Sequence, residues 1–345
     1  MTEYLLNDLG WSDHFARQCD PEDSDTPARL LEVMRDHVIG LTETGQVSLV
    51  TPDSTGLYAV GDWVLHDGTK VSKRLDRQTE IARRAAGPQA ARQLIAANVD
   101  TLAIVTSCND DFNVARLERY LAMATQAGCL PLVVLTKADQ SDDPESYAKA
   151  AARLSPLLTA ITLNAKDTED ADRLAPWCGA GQTLALVGSS GVGKTTLQNH
   201  LTGITALTQD IREDDAKGRH TTTARALRPT RAGGWLIDTP GMRELALSDA
   251  AEGIEAVFAD VTDLIPQCRF NDCAHESEPG CAVQAAIADG TLDPGRLERW
   301  KKLMREDQFN SESVAEARAR FRKLGKMYKG GKARAKAKRG DGLPD

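Results

Sequence analysis

The run Gly188-Ser189-Ser190-Gly191-Val192-Gly193-Lys194-Thr195 matches G-x-x-x-x-G-K-[ST] and lies between an apolar stretch, Thr183 to Val187, and a segment of helical character. It constrains the fold more than any other part of the chain, because it asks for a strand, a tight glycine turn and a helix N-terminus in immediate succession. Glycines let backbone N–H groups close around phosphate oxygens. Lys194 adds a point charge, Thr195 offers a hydroxyl to Mg²⁺, and Thr196 completes the candidate nucleotide-binding stretch. The competing reading is a glycine turn with a purely structural role.

Two further motifs stand at the ends of apolar runs. Asp238-Thr239-Pro240-Gly241 follows Trp235-Leu236-Ile237, which places an acid for Mg²⁺ at a strand end and a glycine N–H for a γ-phosphate three residues on. Thr136-Lys137-Ala138-Asp139 closes the run Pro131 to Leu135 and comes before the phosphate loop. A carboxylate can accept from both N1–H and the 2-amino group of guanine, whereas adenine has no such pair, so Asp139 selects guanine. Asn164 and Ala165, after the run at Ile161, are placed to offer a backbone N–H to the guanine carbonyl. A P-loop ATPase or kinase acting on a small molecule, and an RNA-binding scaffold with nucleotide as a structural ligand, are the rival readings.

The chain around these motifs is organised in blocks. Its 345 residues are 41% hydrophobic and 27% charged, which excludes a disordered or fibrous polymer. Residues 1–36 are polar and acidic and read as a mobile leader or short helix. Residues 37–95 show short alternating runs (Val47 to Val50, Leu57 to Val60, Gly61 to Val64) and suggest a small all-β module. The basic residues Lys70, Lys73, Arg74, Arg77, Arg83, Arg84 and Arg92 within it read as a solvated face. Residues 96–262 alternate apolar runs with helical patterns such as Leu117, Tyr120, Leu121 and Met123, the signature of a mostly parallel sheet covered by helices. Residues 263–325 carry a Cys/His cluster and helices at Pro294 to Arg305 and Val314 to Leu324, and 326–345 form a basic tail. Arg318 to Arg339 holds 11 of the 42 basic residues and no acid, leaving 31 against 50 acidic residues elsewhere, so nucleic acid must be met by local patches. No apolar stretch reaches the roughly 18 residues that span a bilayer, and the start Met1-Thr2-Glu3-Tyr4 lacks the plan of a signal peptide, which predicts a cytoplasmic protein with no membrane partner.

Four of the seven cysteines (Cys19, Cys108, Cys129, Cys178) are scattered. The other three form Cys268-x4-Cys273-x-His275-x5-Cys281. Three thiolates and an imidazole with no obvious open position suit one structural, tetrahedral zinc per chain, against the alternative of buried free cysteines around a core histidine.

The order guanine motif, P-loop, D-x-x-G is a circular permutation of the usual GTPase. With Ala96-Ala97-Asn98-Val99-Asp100, Phe112 to Leu121, Gly218-Arg219-His220-Thr221-Thr222-Thr223 and the Cys/His cluster, the chain resembles the ribosome small-subunit-dependent GTPase A family, the YjeQ/YloQ group, over most of residues 37 to 305. The resemblance implies an α/β multidomain protein: an N-terminal OB-fold β-barrel that binds RNA, a circularly permuted P-loop GTPase domain and a C-terminal helical zinc-binding domain. It implies GTP hydrolysis to GDP with Mg²⁺, late maturation of the 30S subunit with its 16S rRNA as partner, and a monomer. It makes Cys268, Cys273, His275 and Cys281 all zinc ligands, and Thr222 a Mg²⁺ ligand beside Thr195 and Asp238. Met242 stands where many GTPases have a water-orienting glutamine, so the resemblance points to His220 as the catalytic substitute, with Lys194 and Thr222; an exposed loop histidine is the other reading. Thr136 departs from the more frequent Asn of the guanine motif, which predicts weaker base affinity. The tail after Tyr328 is not part of the family pattern, and nonspecific phosphate attraction is its default reading.

Overall fold

The structure is a computed structural model that describes residues 3–20, 24–84, 92–156, 158–204, 225–238 and 249–311. His220, Thr222, Gly241, Met242, the expected helix at 314–324 and the basic tail lie outside the described residues. Among the described residues no helix is long and apolar enough to cross a membrane.

The N-terminal unit holds a short helix α1 (Asp13–Ala16) and strands β1 (Thr26–Val33), β2 (Val38–Thr42), β3 (Gly45–Leu49), β4 (Trp63–His66) and β5 (Val71–Arg74). They pair antiparallel in the order β3-β2-β1-β4-β5, and a parallel bridge between Val50 and Lys70 joins the outer strands. That closure is the five-stranded OB-fold plan. Ala28, Leu30, Val38, Leu49, Val64 and Val71 fill its interior.

The leader expected over residues 1–36 is corrected here, because β1 is the central strand of this barrel. The strand reads as polar because Arg29 interrupts it, yet Arg29 is itself buried. Its guanidinium donates to Leu9 O (2.6 Å), Asn98 O (3.0 Å) and Thr183 Oγ1 (2.7 Å), and desolvation lowers its pKa to about 10. The preceding residues pack as well: Trp11 meets Trp63 edge-on, Phe15 lies tilted against the same ring, and Trp235 Nε1 donates to Asp8 O at 2.7 Å. The run Leu57 to Val60, read as strand-like, begins in a 3₁₀ turn over Thr55–Leu57.

A hairpin of β6 (Glu80–Arg84) and β7 (Arg92–Ala97) leads into the second sheet. This sheet contains β8 (Thr101–Ser107), β9 (Leu130–Thr136), β10 (Thr159–Thr162), β11 (Thr183–Gly188), β12 (Ala226–Pro229) and β13 (Trp235–Asp238). Its order is β10-β9-β8-β11-β13-β12, parallel throughout except for β12, which runs antiparallel to β13. Helices α2 (Val114–Gln126), α3 (Pro144–Ala152), α4 (Thr168–Asp172) and α5 (Lys194–Thr202) lie between its strands. Asn113 caps α2 by accepting from Arg116 N at 3.0 Å, and Leu117, Tyr120 and Leu121 bury its apolar side. Every residue of β8 is buried, which accounts for its continuous apolar run.

The C-terminal unit contains α6 (Ala251–Val257), α7 (Ala259–Thr262), the Cys/His loop, α8 (Ala282–Ala288) and α9 (Pro294–Ser311). Helix α9 is bound to α2 through charge: the buried Glu118 carboxylate accepts from Arg296 at 2.7 Å and from Arg299 at 2.8 Å. Arg296 also meets Asp260 at 3.0 Å and lies 4.1 Å from the centre of the Phe258 ring.

Candidate nucleotide and metal sites

Register brings the C-terminal ends of β8, β9, β11 and β13 to one edge of the sheet. Ser107 pairs with Thr136, Gly188 with Val105, and Ile237 with Ala185. In an open parallel sheet this edge is where ligands bind. Gly188, at the end of β11, has φ +146°, and a Cβ there would lie 2.0 Å from Val105 O, so no side chain fits. Gly193, with φ +93°, precedes the first residue of α5, and a Cβ there would sit 3.5 Å from Ala165 Cβ and 3.6 Å from Thr136 Cγ2. Ser189 is half-buried, Ser190 and Gly191 are exposed, and Val192 is buried beneath the loop. Lys194 Nζ donates to Gly188 O at 2.8 Å and also to Ser189 O, so the ammonium is held on the loop itself. Thr195 is exposed and Thr196 half-buried in the first turn of α5.

The guanine motif meets this loop directly. Thr136 is fully buried, with Oγ1 2.6 Å from Val192 O and 3.0 Å from Thr106 O. Its hydroxyl therefore ties the phosphate loop to the ends of β8 and β9. The Thr136 hydroxyl, which stands where the guanine motif more often has Asn, is thus engaged with the loop. Lys137 adopts φ +56°, and Asp139 is exposed in the short turn Ala138–Gln140. Leu163 N donates to Leu135 O at 2.9 Å and Ala138 N to Leu163 O at 3.3 Å, which lays Asn164 and Ala165 beside this turn. Asn164 is spent on its own turn: its N–H donates to Asp170 Oδ2 at 2.8 Å and its Oδ1 accepts from Lys166 N at 3.0 Å. The Asn164 N–H, with Arg173, holds the Asp170 carboxyl below its ordinary range. Asp238 ends β13 with its backbone opposite Ala226.

In the second site the ligand atoms of Cys268, Cys273, His275 and Cys281 lie within 4.8 Å of one another. Cys268 Sγ is 3.9 Å from Cys281 Sγ, and each of these sulfurs is 3.6 Å from His275 Nδ1. A tetrahedron on zinc–sulfur bonds of about 2.3 Å and zinc–nitrogen bonds of about 2.0 Å has edges of roughly 3.8 Å and 3.5 Å, so Cys268, His275 and Cys281 stand at separations that suit zinc, with Cys273 close enough to complete a Cys3His donor set. The loop is braced for this geometry. His275 takes φ +56°, and its carbonyl accepts from Gln284 Nε2 at 2.8 Å and Lys301 Nζ at 3.3 Å. Sequence reasoning missed Glu278, whose carboxylate accepts from the N–H groups of Glu276, Ala274 and Ser277; these lower its pKa to about 2. The available signal was an acid ahead of a Pro-Gly turn inside the ligand loop. Burial pushes Cys108 and Cys178 up to about 11 and Cys129 to about 12, as expected of packing thiols.

The basic stretch read as a solvated face is partly structural. Arg77 pairs with the buried Asp62 at 2.6 Å and with Glu80, Arg74 donates to Leu57 O, and Lys73 Nζ donates to Gln18 O at 2.6 Å.

A sequence profile described as RsgA GTPase matches residues 74–248. The chain is 55% identical over 315 residues to the small ribosomal subunit biogenesis GTPase RsgA of Mesorhizobium japonicum, covering 89% of this chain and 91% of that protein. Among solved structures, YjeQ of Thermotoga maritima matches with a TM-score of 0.60 at 23% identity, over 82% of this chain and 98% of its own. YloQ, titled a circularly permuted GTPase, matches with a TM-score of 0.59 at 20% identity, over 86% of this chain and 99% of its own. These two likenesses place the fold among the permuted GTPases.

Proposed function

Because this chain belongs to the RsgA GTPase family, we propose that it hydrolyses GTP to GDP and phosphate in the biogenesis of the small ribosomal subunit. The observation that carries the reading is the bond from Thr136 to Val192 O, which fastens a guanine motif to a P-loop that follows it in the chain.

In this reading residues 188–196 cradle the phosphates, with Lys194 turning from the loop carbonyls to the β- and γ-phosphates. Asp139 reads the guanine edge, Lys137 covers the base, and Asn164 and Ala165 flank its carbonyl. Thr195, Thr222 and Asp238 would hold Mg²⁺, which when bound would supply positive charge to offset the charge developing on the phosphates. Gly241 offers its N–H to the γ-phosphate, and His220 orients the attacking water in place of the glutamine that Met242 replaces. Cys268, Cys273, His275 and Cys281 would hold one zinc that fixes the C-terminal loop, a contribution to folding and not to the chemical step. The protein works in the cytoplasm as a monomer, meeting the 30S subunit and its 16S rRNA through the OB barrel and the zinc unit.

The test measures GTP turnover with and without purified 30S subunits. Slow intrinsic hydrolysis and a steep rise on the subunit are expected, and His220→Ala should lose about 100-fold or more of the stimulated rate while still binding GTP. Equal turnover of ATP, or a rate indifferent to the subunit, overturns the reading.

A further inference from the structure

We propose that the cavity between α2 and α9 is a phosphate-binding site that takes the backbone of an RNA strand. The inference rests on the ribosomal-subunit reading above for its RNA and names residues that meet it.

The cavity has a volume of about 310 Å³ and lies on the seam between α2, which covers the parallel sheet, and α9 of the C-terminal unit. Every ionisable residue in its lining is a cation: Arg116 and Arg119 from α2, Arg299 and Lys302 from α9. Asn113, Ala115 and Leu303 make up the rest, so no carboxylate lines the space. Like charges gathered on one concave surface repel one another, and low-dielectric walls focus their field. Such an arrangement is unfavourable by itself and is relieved by an anion.

The carboxylates that balance these groups stand outside the lining and engage only part of each donor set. Asp111 meets Arg116 Nη2 at 2.8 Å, Glu306 meets Arg119 Nη2, and the buried Glu118 takes Arg299 Nε at 2.8 Å. A guanidinium carries five N–H donors. Nε and Nη1 of Arg116 and of Arg119 have no hydrogen-bond partner among the described residues, and neither has Lys302 Nζ. The carboxylates thus hold the arginine forks without using them up, which is the pre-organisation that bidentate recognition of phosphate needs. Side-chain exposures of 32%, 34% and 27% leave Arg116, Arg119 and Arg299 within reach of a ligand arriving from solvent. The first turn of α2 contains no acid, so its positive end adds to the same field.

What lies beyond the lining favours a polymer of phosphates over a single ion. Lys302 and Arg305 are exposed three residues apart on α9 and are neighbours on its surface, so the row of cations continues past the cavity. A free phosphate would engage the cavity alone, whereas a strand with a charge at each nucleotide meets the whole row. The chain carries a net charge of -8, so its approach to RNA depends on local rows of this kind. Because the cations come from both α2 and α9, a strand seated here also bridges the two units.

The test is the affinity of the full-length protein, loaded with a non-hydrolysable GTP analogue, for purified 30S subunits and for poly(U) across a salt series. Lys302→Gln is expected to weaken both about threefold and to flatten the slope of log K against log salt by about 0.7–1, the share of one phosphate contact. Arg119→Gln combined with Lys302→Gln should weaken binding about tenfold and flatten the slope by about 1.5–2, while GTP affinity stays within about twofold. The bond from Arg119 to Glu306 is partly exposed and contributes little to the fold, and Lys302 has no bond to lose, so both variants keep the fold. Arg231→Gln, which removes an exposed arginine in the turn between β12 and β13, controls for net charge and should leave affinity and slope unchanged. The proposal is overturned if the Lys302 and double variants keep the parental affinity and slope, or if Arg231→Gln loses as much. Inorganic phosphate identifies a free ion as the ligand: if it raises the melting temperature of the parent and not of the double variant, while binding to 30S subunits and poly(U) is unmoved, the RNA assignment falls. A parent that binds poly(U) through these residues and ignores 30S subunits upholds the site and defeats the ribosomal reading, whereas a parent that binds neither defeats both.

Discussion

Replacing Thr136 by valine tests the junction between guanine motif and P-loop with almost no change in shape. The methyl that replaces Oγ1 cannot donate to Val192 O or Thr106 O, now 2.6 Å and 3.0 Å from the hydroxyl. Because Thr136 is fully buried, water cannot take over, and orphaning a buried acceptor costs about 1–3 kcal/mol. Thr106 O lies in a paired strand, so the loss falls mainly on Val192 and hence on the phosphate-binding shape of the loop. Since about 1.4 kcal/mol is a factor of ten in an equilibrium constant, GTP and GDP affinity should both fall by about tenfold. The ratio of GTP to xanthosine triphosphate affinity should not move, because the Thr136 hydroxyl is bonded to Val192 O and Thr106 O while the base-reading Asp139 is exposed in the next turn. Calorimetric titration of the variant with each nucleotide measures both quantities. A changed base preference with intact GDP affinity would refute the assignment of Thr136 to the loop.

Asp139→Asn should act in the opposite way, weakening GTP and improving xanthosine triphosphate, because an amide presents a donor to a guanine edge that already carries donors; nucleotide competition reads the change. Metal analysis should find about one zinc per chain, and Cys273→Ser should lower the melting temperature of the C-terminal unit while GTP affinity stays intact. Glu118→Ala leaves two guanidinium groups without their shared carboxylate and should destabilise the packing of α9 on α2 by about 3 kcal/mol, visible as a lower urea midpoint; Glu118→Gln should fall between it and the parent.

What could be read from the sequence was what is local or buried on both sides. The P-loop and the Cys/His cluster each fit inside a short stretch, so spacing alone reported their chemistry. Strands β8, β9 and β11 are buried on both faces and read as apolar runs. Strand β1 escaped because its buried Arg29 finds its acceptors at Leu9, Asn98 and Thr183, residues that only the folded chain assembles. The bond from Thr136 to Val192 O was illegible for the same reason: its partner is 56 residues away, and the motif alone suggested only the base. Glu278 organises backbone N–H groups, and backbone hydrogen bonding leaves little trace in spacing.

The permutation is physically mild because a nucleotide site on a parallel sheet needs neighbouring strand ends, whatever their order in the chain. Here β8 stands between β9, which carries the guanine motif, and β11, which carries the P-loop, while β13 adds Asp238 on the far side of β11. Those neighbours fix the site through register, with Thr136 opposite Ser107 and Gly188 opposite Val105. What the permutation changes is where the chain goes after Asp238. It runs on to α6 and from there to the metal loop and α9. At the start of α6, Asp249 N–H donates to Ser311 Oγ at 2.7 Å and Ala250 N–H to Asp307 Oδ1 at 2.8 Å, so the last turns of α9 hold the point where the chain enters the C-terminal unit.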